Sequence, residues 1–313
     1  MCTNAPEDVA AHPAAKYAAD VVSLNRDLSF RNLVNLAKQD PALFTHFAER
    51  GDGLVTLAVP TRHLPHRYLI GLQGFRLAQY LQLGWACSDV AYRQAIFCEP
   101  LGVTHADDEH IITMSPSGRI LGYVSLATNG DGESRDLFDP ERAAFPVEEA
   151  HGINIFDRVA PLAGVGTHEV RELKRFVHSR TLTDRTQRLR VTLELLHGLG
   201  QAVVAASPAV RTLIGDVEEH VALRHLLMAG LEVQLVEGTA PQLTDHDLLK
   251  HAYTERASVK PFVSHLPDAG FAAQQATMLA ETLDSPDLFQ AATDMSSSRP
   301  GRLSRVDGER HAA

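Results

Sequence analysis

Between residues 88 and 237 strand-like and helix-like segments alternate after an opening β-hairpin, and this order is what most limits the fold. Residues 110–114 and 119–127 read as strands around the turn Ser115-Pro116-Ser117-Gly118. Residues 167–177 read as a further strand in spite of their charges. Strict alternation puts Val170, Glu172, Lys174 and Phe176 on one face, and Glu169, Arg171, Leu173, Arg175 and Val177 on the other. Neither face is purely apolar, which suits a strand that lines a polar cleft. Thr183-Asp184 opens a long helix with Leu189, Leu193, Leu196, Leu199 and Val203 at helical spacing, broken at Ser207-Pro208. A strand at 210–217, a helix at 218–229 closed by Gly230 and a strand at 231–237 complete the series. Such an alternation predicts an α/β (α+β) fold, a mixed, mostly antiparallel sheet flanked by helices.

The flanking segments are less patterned. Residues 1–20 are rich in alanine and proline, and poor order is expected there. Helical patterning begins near Leu28, and Asp40-Pro41 reads as a cap and first-turn proline of a second helix ended by Gly51-Asp52-Gly53. Residues 54–60 read as a short strand. Residues 68–83 read as a helix with Leu69, Leu72, Phe75, Leu77 and Leu81 on one side and Gly84 as its stop. Ser88-Asp89 caps a predicted helix through Val90, Tyr92, Ile96 and Phe97. Residues 128–166, rich in Gly, Asp, Glu and Pro, are expected to form a long covering loop. Helices are predicted at 244–253 and 269–283, and a mobile tail at 285–313 around Ser296-Ser297-Ser298. The implied organisation is a partly helical N-terminal extension at 1–87, a core at 88–265, and a C-terminal helix with a disordered tail at 266–313.

Composition removes several function classes. A formal net charge of −10 argues against a general nucleic-acid binder. No apolar run reaches the ~18 residues of a membrane span, and the first sixteen residues lack a signal-peptide pattern. The three cysteines, Cys2, Cys87 and Cys98, have neither metal nor disulfide spacing, so a reducing cytoplasm is expected. His105, Asp107, Asp108, Glu109 and His110 crowd together without the i, i+4 spacing of a helical metal site, and no metal is expected. No glycine-rich phosphate loop of the GxGxxG or GxxxxGK[ST] type is present, and no tightly bound cofactor is expected.

Three segments carry chemistry. Arg93 and Phe97 stand four apart and are followed by Leu101-Gly102. Asp107-Asp108 precedes the hairpin, whose second strand opens with Gly118-Arg119-Ile120-Leu121-Gly122. Glu172-Leu173-Lys174-Arg175-Phe176 lies on the charged strand. In this order they resemble the GNAT-type N-acyltransferases, most closely the acyl-homoserine-lactone (autoinducer) synthases, and also N-acyl amino acid synthases. The resemblance covers residues 88–240. Val103 replaces a family tryptophan and Ser125 a family arginine, which favours an acceptor other than S-adenosylmethionine, although that acceptor stays open. The resemblance implies transfer of an acyl group from acyl carrier protein or acyl-CoA to the amine of a small metabolite, and a place in quorum sensing if the product is an acyl-homoserine lactone.

Acyl transfer from a thioester to an amine needs a proton acceptor, a donor for the developing oxyanion and an apolar slot. Glu172 is the candidate general base; the alternative is a surface pair with Arg175 or Arg171. Arg175 is the second candidate catalytic residue, positioning an acidic group or the donor's pantetheine arm, or else forming a salt bridge. Arg93 can hold an acceptor carboxylate and Asp107 with Asp108 an ammonium, or these groups can be a solvated helix face and turn caps. Phe97, Ser125 and Phe176 are substrate-binding candidates through the resemblance. Arg180, Arg185, Arg188 and Arg190 fall within eleven residues around a helix start, where they can meet a donor's phosphates or an acidic carrier protein, or remain an ordinary solvated face. The alternative to an enzyme is a non-catalytic GNAT-like ligand-binding or regulatory module; the pairing of Glu172 with Arg175 speaks against it.

Overall fold

Helix α1 (Pro13–Arg26) starts on a proline, whose missing N–H is no loss in a first turn. The computed structural model describes residues 12–99, 104–219, 222–244, 246–254 and 259–306. After α2 (Arg31–Gln39), Asp40-Pro41 enters a single 3-10 turn rather than a helix, and the chain extends into β1 (His46–Glu49). β1 turns at Gly51-Asp52-Gly53 into β2 (Val55–Pro60), which is buried along its whole length. α3 (His66–Leu83) ends on Gly84 with φ 69°, a left-handed cap that glycine supplies without steric cost.

α4 (Ser88–Arg93) is shorter than its sequence pattern predicts. Ala95 takes φ 51°, and the Ile96 N–H bonds to the Ala91 carbonyl while the Ala95 N–H bonds to Tyr92, a Schellman closure that stops the helix. β3 (Glu109–Met114) and β4 (Ile120–Ala127) form the predicted hairpin. The segment expected to be a loop contains α5 (Pro146–His151) and a 3-10 turn at Ile155–Asp157. β5 (Val170–His178) leads to α6 (Arg185–Ala205), where the Asp184 carboxylate accepts the Gln187 N–H at 2.7 Å as an N-cap. β6 (Thr212–Glu218), α7 (Ala222–Met228), β7 (Glu232–Val236), α8 (Lys250–Thr254), β8 (Val259–His265) and α9 (Phe271–Leu283) follow. The predicted mobile tail is instead α10 (Leu288–Ser298) and β9 (Arg302–Val306), as far as residue 306.

Among the described residues nine strands form one sheet, in the order β1-β2-β3-β4-β5-β6-β8-β7-β9. All neighbours are antiparallel except β5 with β6 and β7 with β9. The mixed, mostly antiparallel sheet expected from the sequence is therefore present. It does not begin at residue 88: β1 and β2 belong to it, so the N-terminal segment completes the sheet rather than extending from it.

Three apolar clusters fix the layers. On one face α6, α9 and α10 cover the sheet, with Val191, Leu193 and Leu195 of α6 fully buried. Each such side chain contributes about 1.5–3 kcal/mol by burial. On the other face α2 and α3 cover β2–β4 through Leu33, Leu57, Leu72 and Ile112. Beside them residues 137–165 cover β5–β8 through Phe145, Ile155, Ile214 and Val263. The covering loop is thus part of the core, and the boundary between the two covers falls over β5 and β6.

Candidate active site

β5 and β6 run together for only three residue pairs, Val170 with Thr212, Arg171 with Leu213 and Glu172 with Ile214. Beyond that, β5 stays with β4 and β6 stays with β8 as far as Glu218, so the two strands part. Gly215, with φ 151°, stands at the parting; a Cβ there would lie 2.5 Å from the Leu173 carbonyl oxygen, so the close approach of the backbones requires glycine.

The parting opens a wedge with two unlike halves. The apolar half encloses about 140 Å³ between Leu173, Phe176, Val217, Leu226 and Phe262. The polar half encloses about 350 Å³ and is lined by Gln94, Glu99, His246 and Asp247 among others. Glu172, Lys174, Arg175, Asp216, Leu249 and Tyr253 line both.

A β-bulge sets which side chains reach the wedge. Ser125 pairs with Lys174 but Tyr123 pairs with Val177, so β5 carries one extra residue against β4. Arg175 is where the strand departs from extended geometry, with φ 64°, a left-handed conformation costing about 1–2 kcal/mol in a non-glycine residue. The bulge reverses the alternation. Leu173 and Phe176 both pack toward the α6 cluster, while Val177 joins the α3 cluster. The two-face pattern read from unbroken alternation therefore holds only as far as Lys174.

Glu172 is 4% exposed. One of its oxygens accepts the Val147 N–H at the start of α5, at 2.9 Å. Burial pushes its carboxyl up to about 8, against the opposing pull of Lys174, and nearby Asp216 pushes in the same direction as burial. Burial lowers Lys174 in turn, and Glu172 is the main influence that supports its charge. Glu172 and Lys174 thus act on each other's charge where the strands part.

Arg175 Nη2 lies 3.0 Å from Glu99 Oε1, and Arg76 Nε donates to Glu99 Oε2 at 2.7 Å. Glu99 and Arg76 are each 1% exposed. Burial works against the charge of Arg175, but Glu99, Tyr80 and Tyr253 outweigh it and its pKa is raised. From Arg76 the polar contacts continue to the Tyr123 hydroxyl at 3.5 Å, from there to His110 Nδ1 at 2.8 Å, and from His110 Nε2 to Thr61 Oγ1 at 2.9 Å. Burial lowers His110 to about 3, so its ring is neutral.

Across the wedge, both oxygens of Asp216 are engaged. His151 Nε2 lies 3.0 Å from Oδ1, and the Tyr253 hydroxyl donates to Oδ2 at 3.2 Å.

The structure brings together some of the residues singled out from sequence and separates others. Glu172, Arg175 and Phe176 line the wedge. Arg93 is exposed on α4, and Phe97 is 61% exposed beyond the helix end, so the two do not share a helix. Leu101, Gly102 and Val103 lie outside the described residues. Asp108 is 5% exposed and clamps its own loop, accepting from Thr128 N at 2.8 Å, Thr128 Oγ1 at 3.1 Å and His105 N at 3.0 Å. Asp107 pairs with Arg62 over a different cavity. Ser125 is buried and donates to the Lys174 carbonyl at 3.3 Å, supporting β5 from behind. Arg180, Arg185 and Arg188 are exposed near the start of α6; Arg188 donates to the Leu182 carbonyl, and Arg190 is paired with Asp52 at 2.8 Å. Among the described residues no three His, Cys, Asp or Glu side chains are grouped to hold a metal ion.

Lys174, Glu99, Asp216, His151 and Tyr253 were not singled out as site residues from sequence. Lys174 sits inside the Glu-Leu-Lys-Arg-Phe segment and was within reach of sequence reasoning. The others come from segments with no local signature.

No family model matches this chain, and no curated protein matches it. Among solved structures it is similar to the CoA-dependent acyl-homoserine lactone synthase BjaI, at 15% identity over 77% of this chain and 97% of that one, with a TM-score of 0.44. It is also similar to TofI, in a ternary complex with an inhibitor and MTA, at 17% identity over 71% and 96% of the chains and a TM-score of 0.42. A GCN5-related N-acetyltransferase from Brucella melitensis is 10% identical over 80% and 95%, with a TM-score of 0.39.

Proposed function

We propose that the chain is an N-acyltransferase that moves an acyl group from a phosphopantetheine thioester, either acyl-CoA or acyl carrier protein, to the amine of a small metabolite. The observation that carries this reading is the parting of β5 from β6 with buried Glu172 at its apex, between an apolar half and a polar half. Beyond Glu172 no ladder pair joins the two strands. Their facing edges can therefore hold the amides of a pantetheine arm as a missing strand would. The acyl chain enters the apolar half and the acceptor the polar half.

In this reading Glu172 takes the proton of the acceptor ammonium, as a carboxyl poised near neutrality can. The freed nitrogen lone pair attacks the thioester carbonyl. The new C–N bond forms, the C–S bond breaks with its electron pair leaving on sulfur, and the departing thiolate takes up the second proton that the nitrogen sheds as it becomes the amide. Lys174 sets the charge of Glu172, and Arg175, fixed by Glu99, places positive charge beside the reacting carbonyl. Arg180, Arg185 and Arg188 supply the exposed positive surface for the donor's phosphates or for an acidic carrier. Asp184 already occupies part of the α6 N-terminus, so these side chains rather than free helix N–H groups carry that attraction.

The test is mass spectrometry of small molecules from cells expressing the wild type or Glu172→Gln. An acylated amine present only with the wild type supports the proposal and names both chain and acceptor. Wild-type protein that turns over neither octanoyl-CoA nor octanoyl carrier protein with any of a panel of primary amines would refute it.

A further inference from the structure

One carboxylate on the wedge has no role in the scheme above. Asp216 lies two residues past Ile214, the last β6 residue paired with β5, and therefore on the same face as Glu172 and one step beyond it. It lines both halves of the wedge. Its partners are unusual for a carboxylate in such a place. Among the described residues its one ion-pair partner is His151, and no lysine or arginine answers its charge. Of the β5 cations that line the wedge, Lys174 is supported chiefly by Glu172 and Arg175 by Glu99. Glu99, by contrast, is held between two arginines.

His151 is fully buried on α5, and its contact with Asp216 assigns the ring proton to Nε2. Its Nδ1 is buried with no hydrogen-bond partner among the described residues. A buried ring that leaves one nitrogen unpartnered in order to hold a carboxylate is an arrangement with a local cost. Together with the Tyr253 hydroxyl it fixes Asp216 from α5 on one side and α8 on the other. The carboxylate is held at the cavity from both sides, and among the described residues no lysine or arginine pairs with it.

We propose that Asp216 is the ammonium-binding carboxylate of the acceptor subsite, with His151 as its positioning residue. The inference rests on the acyl-transfer reading and adds to it a division of labour. Asp216 holds the protonated amine, and Glu172 beside it removes the proton. The ligand class is a primary ammonium; of the candidates suggested by the sequence, Asp107 lines a different cavity and Asp108 is engaged by Thr128 and His105 of its own loop.

The experiment is isothermal titration of the full chain with n-butylammonium and with butan-1-ol, its neutral isostere. The wild type is expected to prefer the ammonium. Asp216→Asn should weaken ammonium binding at least tenfold and leave the alcohol unchanged, while Asp107→Asn changes neither. His151→Leu should weaken the ammonium as well, and His151→Gln, which keeps a donor, should recover most of the loss. Equal affinity of the wild type for the two probes, or unchanged ammonium binding in Asp216→Asn, would overturn the proposal. Amide formation from octanoyl-CoA or octanoyl carrier protein and butylamine is measured alongside. An intact ammonium preference without any amide would sink the acyl-transfer reading and not the subsite.

Discussion

Glu99→Gln is the substitution whose effect can be worked furthest from the coordinates. Glu99 and Arg76 are each 1% exposed, and Arg175 completes the set at 21% side-chain exposure. The variant keeps the shape and removes the one negative charge between two guanidinium groups. Removing one partner of a buried pair leaves an uncompensated charge and costs about 3–5 kcal/mol. That is a large share of the ~5–15 kcal/mol that holds a typical protein folded. With a urea dependence of about 3–4 kcal/mol per molar, the unfolding midpoint should fall by roughly 1 M. Trp85, the only tryptophan, lines the apolar half of the wedge and reports the transition by fluorescence. The double variant Glu99→Leu with Arg76→Met removes the two fully buried charges, leaves only the partly exposed Arg175, and should recover at least half of the loss, because well-packed apolar groups can replace a buried ion pair. A Glu99→Gln midpoint within about 0.2 M of wild type would refute the reasoning. So would a double variant that is less stable than Glu99→Gln alone.

Four further outcomes are expected. Glu172→Gln should lower turnover by about 10²–10⁴, and the wild-type rate should climb as pH rises through about 8, where Glu172 loses its proton; a flat profile between pH 6 and 9 would exclude it as the base. The fold holds a proton on Glu172 that the unfolded chain gives up in the ordinary carboxylate range. Wild-type stability should therefore fall as pH rises from that range toward 8, and the decline should be shallower in Glu172→Gln, as measured by urea midpoints at pH 5 and 7.5. Replacing Arg185 and Arg188 by glutamine should weaken donor binding and flatten its salt dependence; donor affinity insensitive to both changes would remove the basic surface from the scheme. Ending the chain after residue 299 removes β9 and uncovers the edge of β7. The melting temperature should drop and aggregation should rise on heating, and unchanged melting would show that β9 contributes nothing to the sheet.

The sequence announced those elements whose signals are local. α6 had both a capping aspartate and leucines at helical spacing, and the β3–β4 hairpin had its turn. β1, β8 and β9 had nothing comparable. β8 carries Pro261 in the interior of the sheet, where a missing N–H normally argues against a strand. β9 is mostly exposed and polar; it is held by its ladder with β7 and by Arg305, whose partners Glu219 and Glu237 lie far back in the chain. The second helix expected after Asp40-Pro41 failed for a related reason. The cap signal was real, but pairing of residues 46–49 with β2 decided the conformation.

The candidate site divides along the same line. Glu172 and Arg175 were visible because one strand carries both, whereas Asp216, His151 and Tyr253 meet only after β6, α5 and α8 have packed. The acidic pair Asp107-Asp108 shows the converse error. Its position ahead of a strand suggested a ligand, yet Asp108 spends its oxygens on the Thr128 and His105 backbone and Asp107 on Arg62. The subtlest gap lies within β5 itself. Alternation assigns Leu173 and Phe176 to opposite faces, and one extra residue at Arg175 places them on the same one. That residue adopts an unfavourable backbone, and Glu99, held in turn by Arg76, engages its guanidinium from another part of the chain. A residue that lines the wedge is thus tied to a buried ion set that no pattern within β5 encodes, and Glu99→Gln tests the site as well as the fold.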